Sequence, residues 1–583
     1  MLLGLPEEFP VKRLGEMSFG SADASTDELL EPCFCEVAPI RRILSDEYTI
    51  ILGEKGVGKS AVFNMIDRGR LRLITDRGTL VLPIDERFQY QSIRESVLAQ
   101  VKPYSKSQGF RHRVVWETFL LFRMLDFLNE QLGSSLPPDL AQAAKATKIL
   151  LGGIDKPDFT DILENAKYDI DVEVELGATG TITPKMGVGV ASGKPPHQKA
   201  RSTEEYSLNA DKYKRAINDF LRSQGVCLYI LIDRLDDFTS DKNYDAQRTM
   251  LEGLLDCEMD YQRFDSIKLK IFLRKDLFER LMLPSGGKDK VLNRTTELTW
   301  DDEHIREFIA RRILHNYRRL FEVDSFGFVT DEGELYFDDL NRSLFGEPPP
   351  NPAGRARSLH GLLTMWVPGP WLRVVEEKIT RRGPSDAAEP VERTTNLTDQ
   401  MSRAVITTLF PRKISHLDAS GKNDLMDASK YFSTHFSLGS CKTTPRMVMW
   451  YMRLLLDKVQ DYYEGNPDKR VLLNGADEYP LVRQQCIRSA YKELQREVTA
   501  SITSVNVEWN KWLVRILEGR GDRATMSYSE MRGLVAEGKG VNERSFGQFI
   551  AFLTHVGFIE CENADSHDMR ERLFTLPVIF RAV

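Results

Sequence analysis

An α/β fold built on a parallel sheet is what this 583-residue sequence predicts, and three stretches predict it. The first is an apolar run, Tyr48-Thr49-Ile50-Ile51-Leu52, that gives way to a glycine-rich octet, Gly53 to Ser60 (GEKGVGKS). The second is Cys227-Leu228-Tyr229-Ile230-Leu231-Ile232, which ends in Asp233. The third is Leu269-Lys270-Ile271-Phe272-Leu273, which ends at Arg274. Continuous apolar runs of this length suit strands covered on both faces.

The octet fits the phosphate-binding loop G-x-x-x-x-G-K-(S/T) at every fixed position. Gly53, Glu54, Lys55, Gly56, Val57, Gly58, Lys59, Ser60 and Ala61 are therefore the expected nucleotide-binding residues. Glycines let backbone N–H groups curl around phosphate oxygens, Lys59 brings charge to the terminal phosphates, and the Ser60 hydroxyl can ligate magnesium. Ser60 to Ile66 reads as a helix with an apolar stripe, its N-terminus facing the anion. ATP and Mg²⁺ are the ligands this implies. Adenine is preferred to guanine because no NKxD-type base-reading motif occurs.

Asp233 supplies the acid that the second half of such a site needs, holding magnesium through water or beside Ser60. Arg234-Leu235-Asp236-Asp237 adds carboxylates, and Asp236 is a candidate to polarise an attacking water; helix capping explains the same acids equally well. Arg274 is placed to meet the γ-phosphate. Lys59, Asp233, Asp236 and Arg274 form the candidate catalytic set, with Ser60 and Asp233 the candidate metal ligands. Arg263 and Arg294 are candidates for a finger given to a neighbouring subunit. Thr296 to Trp300 reads as a further strand, and Asp301-Asp302 start a helix whose Ile305, Phe308, Ile309 and Ile313 form a core stripe.

Around this centre, residues 1–45 read as a lead-in docking on the core, with short helices at Asp27–Leu30 and Ile40–Leu44. A strand is expected at Thr79–Ile84, a buried helix at Trp116–Leu132 and another helix at Asp211–Ser223. DIDVEVEL, Asp169–Leu176, alternates acids with apolar residues, and Met186, Val188 and Val190 alternate again, so a hairpin at about 167–192 is predicted. Its carboxylate face reads as solvated, with a metal or basic-partner site as the alternative. Proline-rich residues 346–352 and the stretch 383–392 mark loops or an insertion.

A net charge of −7 and a pI near 5.9 give no global reason for tight nucleic-acid binding, so any basic site is local, such as Lys102 to Arg113. The seven cysteines are scattered, odd in number and without CxxC spacing, which suits free thiols in a reducing compartment. The N-terminus lacks the pattern of a signal peptide, and no run of about 18 apolar residues occurs. A cytoplasmic protein with no membrane partner is expected.

Phe19-Gly20-Ser21-Ala22-Asp23-Ala24, GEKGVGKS, ILIDRLDDF, IFLRKDLF and a tryptophan before a helix together resemble bacterial P-loop ATPases of the AAA+ and STAND type. Thr443-Thr444-Pro445-Arg446, followed by Met447, Val448, Trp450, Tyr451, Leu454 and Leu455, resembles the lid start of that family and of origin-recognition-type ATPases. The resemblance covers roughly residues 15–320 and 435–583; the stretch 322–434 matches nothing comparable. It implies a P-loop core at 46–320, a helical lid with an irregular insertion at 321–478, and a helical, winged-helix-like unit at 479–583. It also implies that Arg446 reaches back to the nucleotide. Asp233-Arg234 departs from the family's adjacent acids, which argues for a slow switch over a fast motor.

In the terminal unit, a helix at Glu543–Val556 offers Arg544, Gln548 and His555, while the wing region carries Glu560, Glu562, Asp565, Asp568 and Glu571. Reading DNA needs a basic face, so protein docking or oligomerisation is favoured there. The expected function is a Mg²⁺-dependent ATPase acting as a conformational switch or assembly platform, homo-oligomeric, with a separate effector or regulatory protein. The family's setting implies anti-phage defence. A DNA-handling loader or transposition regulator, and a scaffold with structurally held nucleotide, are the alternatives.

Overall fold

A computed structural model of the chain describes residues 2–3, 5–85, 108–132, 136–141, 143–144, 168–176, 182–190, 207–235, 244–279, 281, 285–322, 326–330, 333–336, 397–417, 423–436, 443–473, 479–503, 507–521, 523–536, 541–555, 557–562 and 572–581. Asp236, Asp237, the start of the basic run at Lys102, the insertion loops 346–352 and 383–392, and Asp565, Asp568 and Glu571 lie outside them.

The elements that position the site are, in order, β1 (Ile50–Gly53), α1 (Lys59–Asp67), β2 (Gly78–Ile84), α2 (Gln108–Leu132), β3 (Tyr168–Leu176), β4 (Ile182–Val190), α3 (Ala210–Ser223), β5 (Val226–Ile232), α4 (Tyr244–Tyr261), β6 (Ile267–Arg274), β7 (Thr295–Glu297) and α5 (Asp302–Phe321). Beyond them come α6 (Asp399–Leu409), α7 (Pro445–Glu464), α8 (Gln484–Thr503), α9 (Val507–Gly519), β8 (Thr525–Ser527), α10 (Tyr528–Ala536), α11 (Glu543–His555), β9 (Glu560–Cys561) and β10 (Leu573–Thr575).

Five strands form the central sheet in the order β2-β5-β6-β1-β7, and every pairing is parallel. Parallel neighbours require long crossovers, which the helices supply. Side chains alternate across this sheet. Ile51, Tyr229, Leu231 and Phe272 join a core with Phe63 of α1 and Ile309 and Ile313 of α5. Ile50, Leu52, Ile230, Ile232, Ile271 and Leu273 join a second core with Trp116 and Phe119 of α2, Ile217 of α3 and Leu254 of α4. Both faces are thus dry, and the unbroken apolar runs in the sequence follow from it. This is the α/β, phosphate-loop architecture that the sequence predicts.

β3 and β4 pair antiparallel from Tyr168↔Val190 to Leu176↔Ile182, with Ser207–Asn209 added beside β4, so the expected hairpin is present. Two expectations are corrected. Asp27–Leu30 is a run of turns, because the Asp27 carboxylate accepts from the N–H groups of Ser21 and Leu29 and pairs with Arg312 on α5. The strand expected to reach Trp300 stops at Glu297, since Asp301 caps α5 by accepting from His304 N–H at 2.8 Å.

α5 is buried on its polar face as well as on its apolar stripe. Arg311 pairs with Glu307, Asn316 exchanges two hydrogen bonds with the Ser18 backbone, and Tyr317 and Thr408 share a hydrogen bond of 2.7 Å with α6. The lead-in therefore lies along α5. It continues onto the lid, where Phe9 N–H donates to Val471 O and Leu473 N–H to Glu7 O. Among the described residues no helix is long and apolar enough to cross a membrane.

α8, which falls within the terminal unit as the sequence divides the chain, packs against α7 beside a cluster of rings that includes buried His435. His435 stacks on Tyr431, with ring centroids 4.4 Å apart, and meets His416 edge-on. Burial, followed by the neighbouring His416 charge, pulls its pKa from 6.5 down to about 4. Between those values the unfolded chain takes a proton that the folded chain refuses. The stabilising contribution is thus complete above pH 6.5 and is lost as pH falls toward 4. Its full size is on the order of 3 kcal/mol. Replacing His435 by Phe is expected to flatten the decline of the thermal midpoint between pH 6.5 and 4, read by calorimetry; an unchanged slope would place the acid sensitivity elsewhere.

The terminal unit joins α9, α10 and α11 to an antiparallel sheet in the order β8-β10-β9, a winged-helix-like arrangement. Ser527 and Glu530 form a reciprocal capping box at the start of α10. On α11, Arg544 and Gln548 are exposed.

Candidate functional site

The strand order places β1 between β6 and β7, while the chain leaves β1 for β2 at the far edge. Beyond the carboxyl ends of strands, such a switch point leaves a crevice. The pairing Gly53↔Arg274 sets the tip of β6 level with the start of the loop. Asp233 N–H donates to Ile84 O at 3.0 Å and extends the ladder by one rung, bringing its carboxyl to the same rim.

The loop itself is held from within and from below. Lys59 Nζ donates to the carbonyls of Gly53 at 2.8 Å and Glu54 at 2.9 Å. The indole N–H of Trp300 donates to Val57 O at 2.7 Å, pinning the loop to the chain just before the Asp301 cap of α5. α1 begins at Lys59, directly after Gly58 in the left-handed region, so its first N–H groups open toward the loop.

A cavity of about 340 Å³ opens here, within the usual size range for small-ligand sites. Its polar lining brings together Lys55, Lys59, Ser60, Asp233, Arg234, Arg274 and Arg446. Its apolar lining includes Leu30, Phe34, Val37, Phe308 and Met449. Of the residues singled out in the sequence, the whole loop from Lys55 to Ala61 lines this cavity together with Asp233, Arg274 and Arg446. Gly53 and Glu54 lie behind it as acceptors for Lys59. Asp236 is outside the described residues.

Asp233 is 3% exposed and hydrogen-bonded to the Ser60 hydroxyl. Burial raises its pKa, and the Ser60 bond, the Arg234 N–H and the charge of Lys59 only partly offset that rise. A buried carboxylate beside a hydroxyl is a hard-oxygen pair of the kind Mg²⁺ takes, so the residues fit that ion. Arg234 adopts φ 55°, the left-handed region, and its guanidinium lies 3.9 Å from Asp23 of the lead-in. The Ser25 backbone N–H first, and then the charges of Arg234 and Arg446, hold the Asp23 carboxyl below its usual range. Arg274 donates to both Asp276 oxygens, at 3.0 and 2.8 Å.

The lid reaches this loop through the first turn of α7. Thr444 caps the helix, Pro445 takes its first position, and Arg446 N–H donates to Gly56 O at 3.3 Å. Gly56 has φ +85°, and a Cβ there would lie 2.8 Å from Arg446 Cβ. Gly56→Val is expected to cost about 1–2 kcal/mol through the left-handed conformation alone and to push α7 off the loop. Hydrogen exchange of the first turn of α7 checks this; unchanged protection there would show that the contact does not depend on Gly56.

Two of the sequence candidates are committed elsewhere. Arg294 donates to fully buried Glu258 at 2.8 Å, alongside Thr49, and so anchors the entry to β1. Arg263 pairs with Asp211 and covers the Phe264 ring. The sequence reading missed Trp300 as the clamp of the loop, Asp23 as the counter-charge to two arginines, and the apolar wall from Leu30 to Val37. The tryptophan's place before α5 and the lead-in motif were visible, but neither names its distant partner.

No protein-family model matches the chain, and no curated protein matches it. Among solved structures, the Aeropyrum pernix ORC2 protein, described as ADPNP-ADP complexes, is similar over 91% of this chain and 84% of that chain, with 10% identity and a TM-score of 0.31. At that depth the likeness carries no argument, and the chemistry rests on the residues of the site. What the chain presents is a parallel α/β core whose phosphate loop is met by the first turn of a lid helix.

Proposed function

We propose that the chain is a magnesium-dependent ATP-binding switch, in which nucleotide held at the phosphate loop fixes the lid through Arg446. One observation carries this reading: α7 is seated on the loop at Gly56, with the Arg446 side chain lining the same cavity as Lys59, Ser60 and Asp233. Ser60 and Asp233 would hold Mg²⁺, which supplies charge neutralisation and orientation of phosphate oxygens when bound. Lys59, Arg274 and Arg446 bind and orient the anion by charge-assisted hydrogen bonds. The apolar wall from Leu30 to Val37 accepts the flat face of a base.

Hydrolysis is proposed to be slow. Arg234 stands directly after Asp233, where an acid would polarise water, and its side chain faces Asp23. Asp236 is the proposed water-polarising residue. Assembly of several copies, a separate effector or regulatory protein, and a role in bacterial anti-phage defence complete the proposal; these stand on the sequence resemblance alone.

The test is Arg446→Ala. ATP with magnesium at saturating concentration is expected to slow hydrogen exchange in the first turn of α7 in the wild type and not in the variant, while ATP affinity falls by about ten- to a hundredfold, the loss of one charge-assisted contact. ATP that protects neither protein, or both equally, would sink the switch.

A further inference from the structure

The lid carries a second concave surface, a groove of about 1050 Å³ lined among others by Arg412, Lys413, Arg483, Arg488 and Lys492. Among the described residues its lining includes no carboxylate, although the whole chain has a net charge of −7. The geometry points to a binding groove for the sugar-phosphate backbone of a nucleic acid, placed where the strand Lys413–Leu417 meets α8.

The groove is built rather than incidental. Gln484, at the start of α8, accepts from Ser415 N–H at 3.1 Å and donates to Lys413 O at 2.6 Å. It thereby fastens the strand Lys413–Leu417 to α8 and fixes Lys413 beside the helix. Arg488 donates to the Ser415 hydroxyl at 2.7 Å across the same junction. Arg488 and Lys492 are four residues apart on α8, so they share one face of it. Arg483 donates to Arg470 O at 3.3 Å, steadying the other wall.

Three features choose the occupant. The fully exposed lining residues, Arg412, Lys413, Gln485, Arg488, Ser489 and Lys492, all carry polar side chains, and between them lie half-buried Tyr462 and buried Pro411 and Pro480. Protein interfaces centre on buried aromatic or aliphatic anchors and are depleted in lysine, whereas arginine, lysine, serine and glutamine are the usual partners of backbone phosphates. Arg412, Lys413, Arg488 and Lys492 are also solvent-exposed, which suits a polymer bound through counterion release more than a small anion in a closed pocket. The basic residues come from two segments some seventy positions apart, and only the fold gathers them.

The experiment measures fluorescence anisotropy of a labelled mixed-sequence DNA duplex, and of the matching RNA duplex, with the full chain over a salt series. At least one duplex is expected to bind, with affinity falling as salt rises. Lys413→Glu/Arg488→Glu/Lys492→Glu is expected to lose about a hundredfold or more at low salt. The milder Arg488→Gln/Lys492→Gln should make the log–log salt slope shallower by about 2, near 0.9 for each cation removed. The ATP-induced thermal shift, read in parallel, reports that each variant keeps its fold and its nucleotide site. Preference for one duplex identifies the natural backbone and supports the groove. The inference is overturned if neither duplex binds, if the variants bind as the wild type does, or if polyglutamate binds while both duplexes fail, which would mark an acidic protein as the partner.

Discussion

Lys59→Ala is expected to weaken ATP binding by about 10²- to 10⁴-fold. The ammonium would make at least two charge-assisted contacts to phosphate oxygens, each contributing about 1.5–3 kcal/mol, and every 1.4 kcal/mol is roughly tenfold. In the folded chain that ammonium lies over the loop, on the carbonyls of Gly53 and Glu54, so its side chain is already directed across the curl that the phosphates would enter. Isothermal calorimetry gives the affinity directly. Thermal shift gives it by linkage, since ligand at about a hundred times its dissociation constant stabilises by about 2.7 kcal/mol. A variant that kept the full ATP-induced shift would remove the phosphate loop from the mechanism.

Asp27→Ala is expected to be the most damaging single change to the fold, at about 3–5 kcal/mol, because it strands a buried charge. Arg312 and Asp27 are 3% and 4% exposed at their side chains and pair at 2.6 Å. The guanidinium also lies over the Phe308 ring, 4.6 Å from its centroid, in the wall of the cavity. Removing Asp27 also frees the Ser21 and Leu29 N–H groups that it accepts from. The thermal midpoint should fall by about 10 °C. The paired replacement Asp27→Leu/Arg312→Met should recover much of the loss, since neither charge is then left buried alone. A midpoint within a degree of the wild type for Asp27→Ala would show the pair to be dispensable.

The parts of this molecule that the sequence announced are those whose cause is local. The loop's spacing, the apolar runs of β1, β5 and β6, the alternation in β3 and β4, and the Thr444-Pro445 start of α7 each need only neighbours in the chain. The misread elements answer to distant partners. Asp27 forgoes a helix because Arg312, far along the chain, claims its carboxylate. On α5 only the apolar stripe was legible, because the lead-in and α6 that cover its polar face come from distant parts of the chain. The basic groove was equally silent, because its arginines and lysines are interleaved with acids such as Glu493, which turns away to Lys458 at 2.7 Å.

Arg274 and Arg446 face one cavity but are held by different means. Arg274 stands on a rung of the central sheet opposite Gly53, and its guanidinium is held by Asp276. Arg446 sits in the first turn of α7, whose backbone N–H meets the loop at Gly56 O at 3.3 Å. On the proposed reading a triphosphate would be gauged between a charge carried by the sheet and one carried by α7, and variants at Arg446 are expected to shorten how long ATP stays more than variants at Arg274 do.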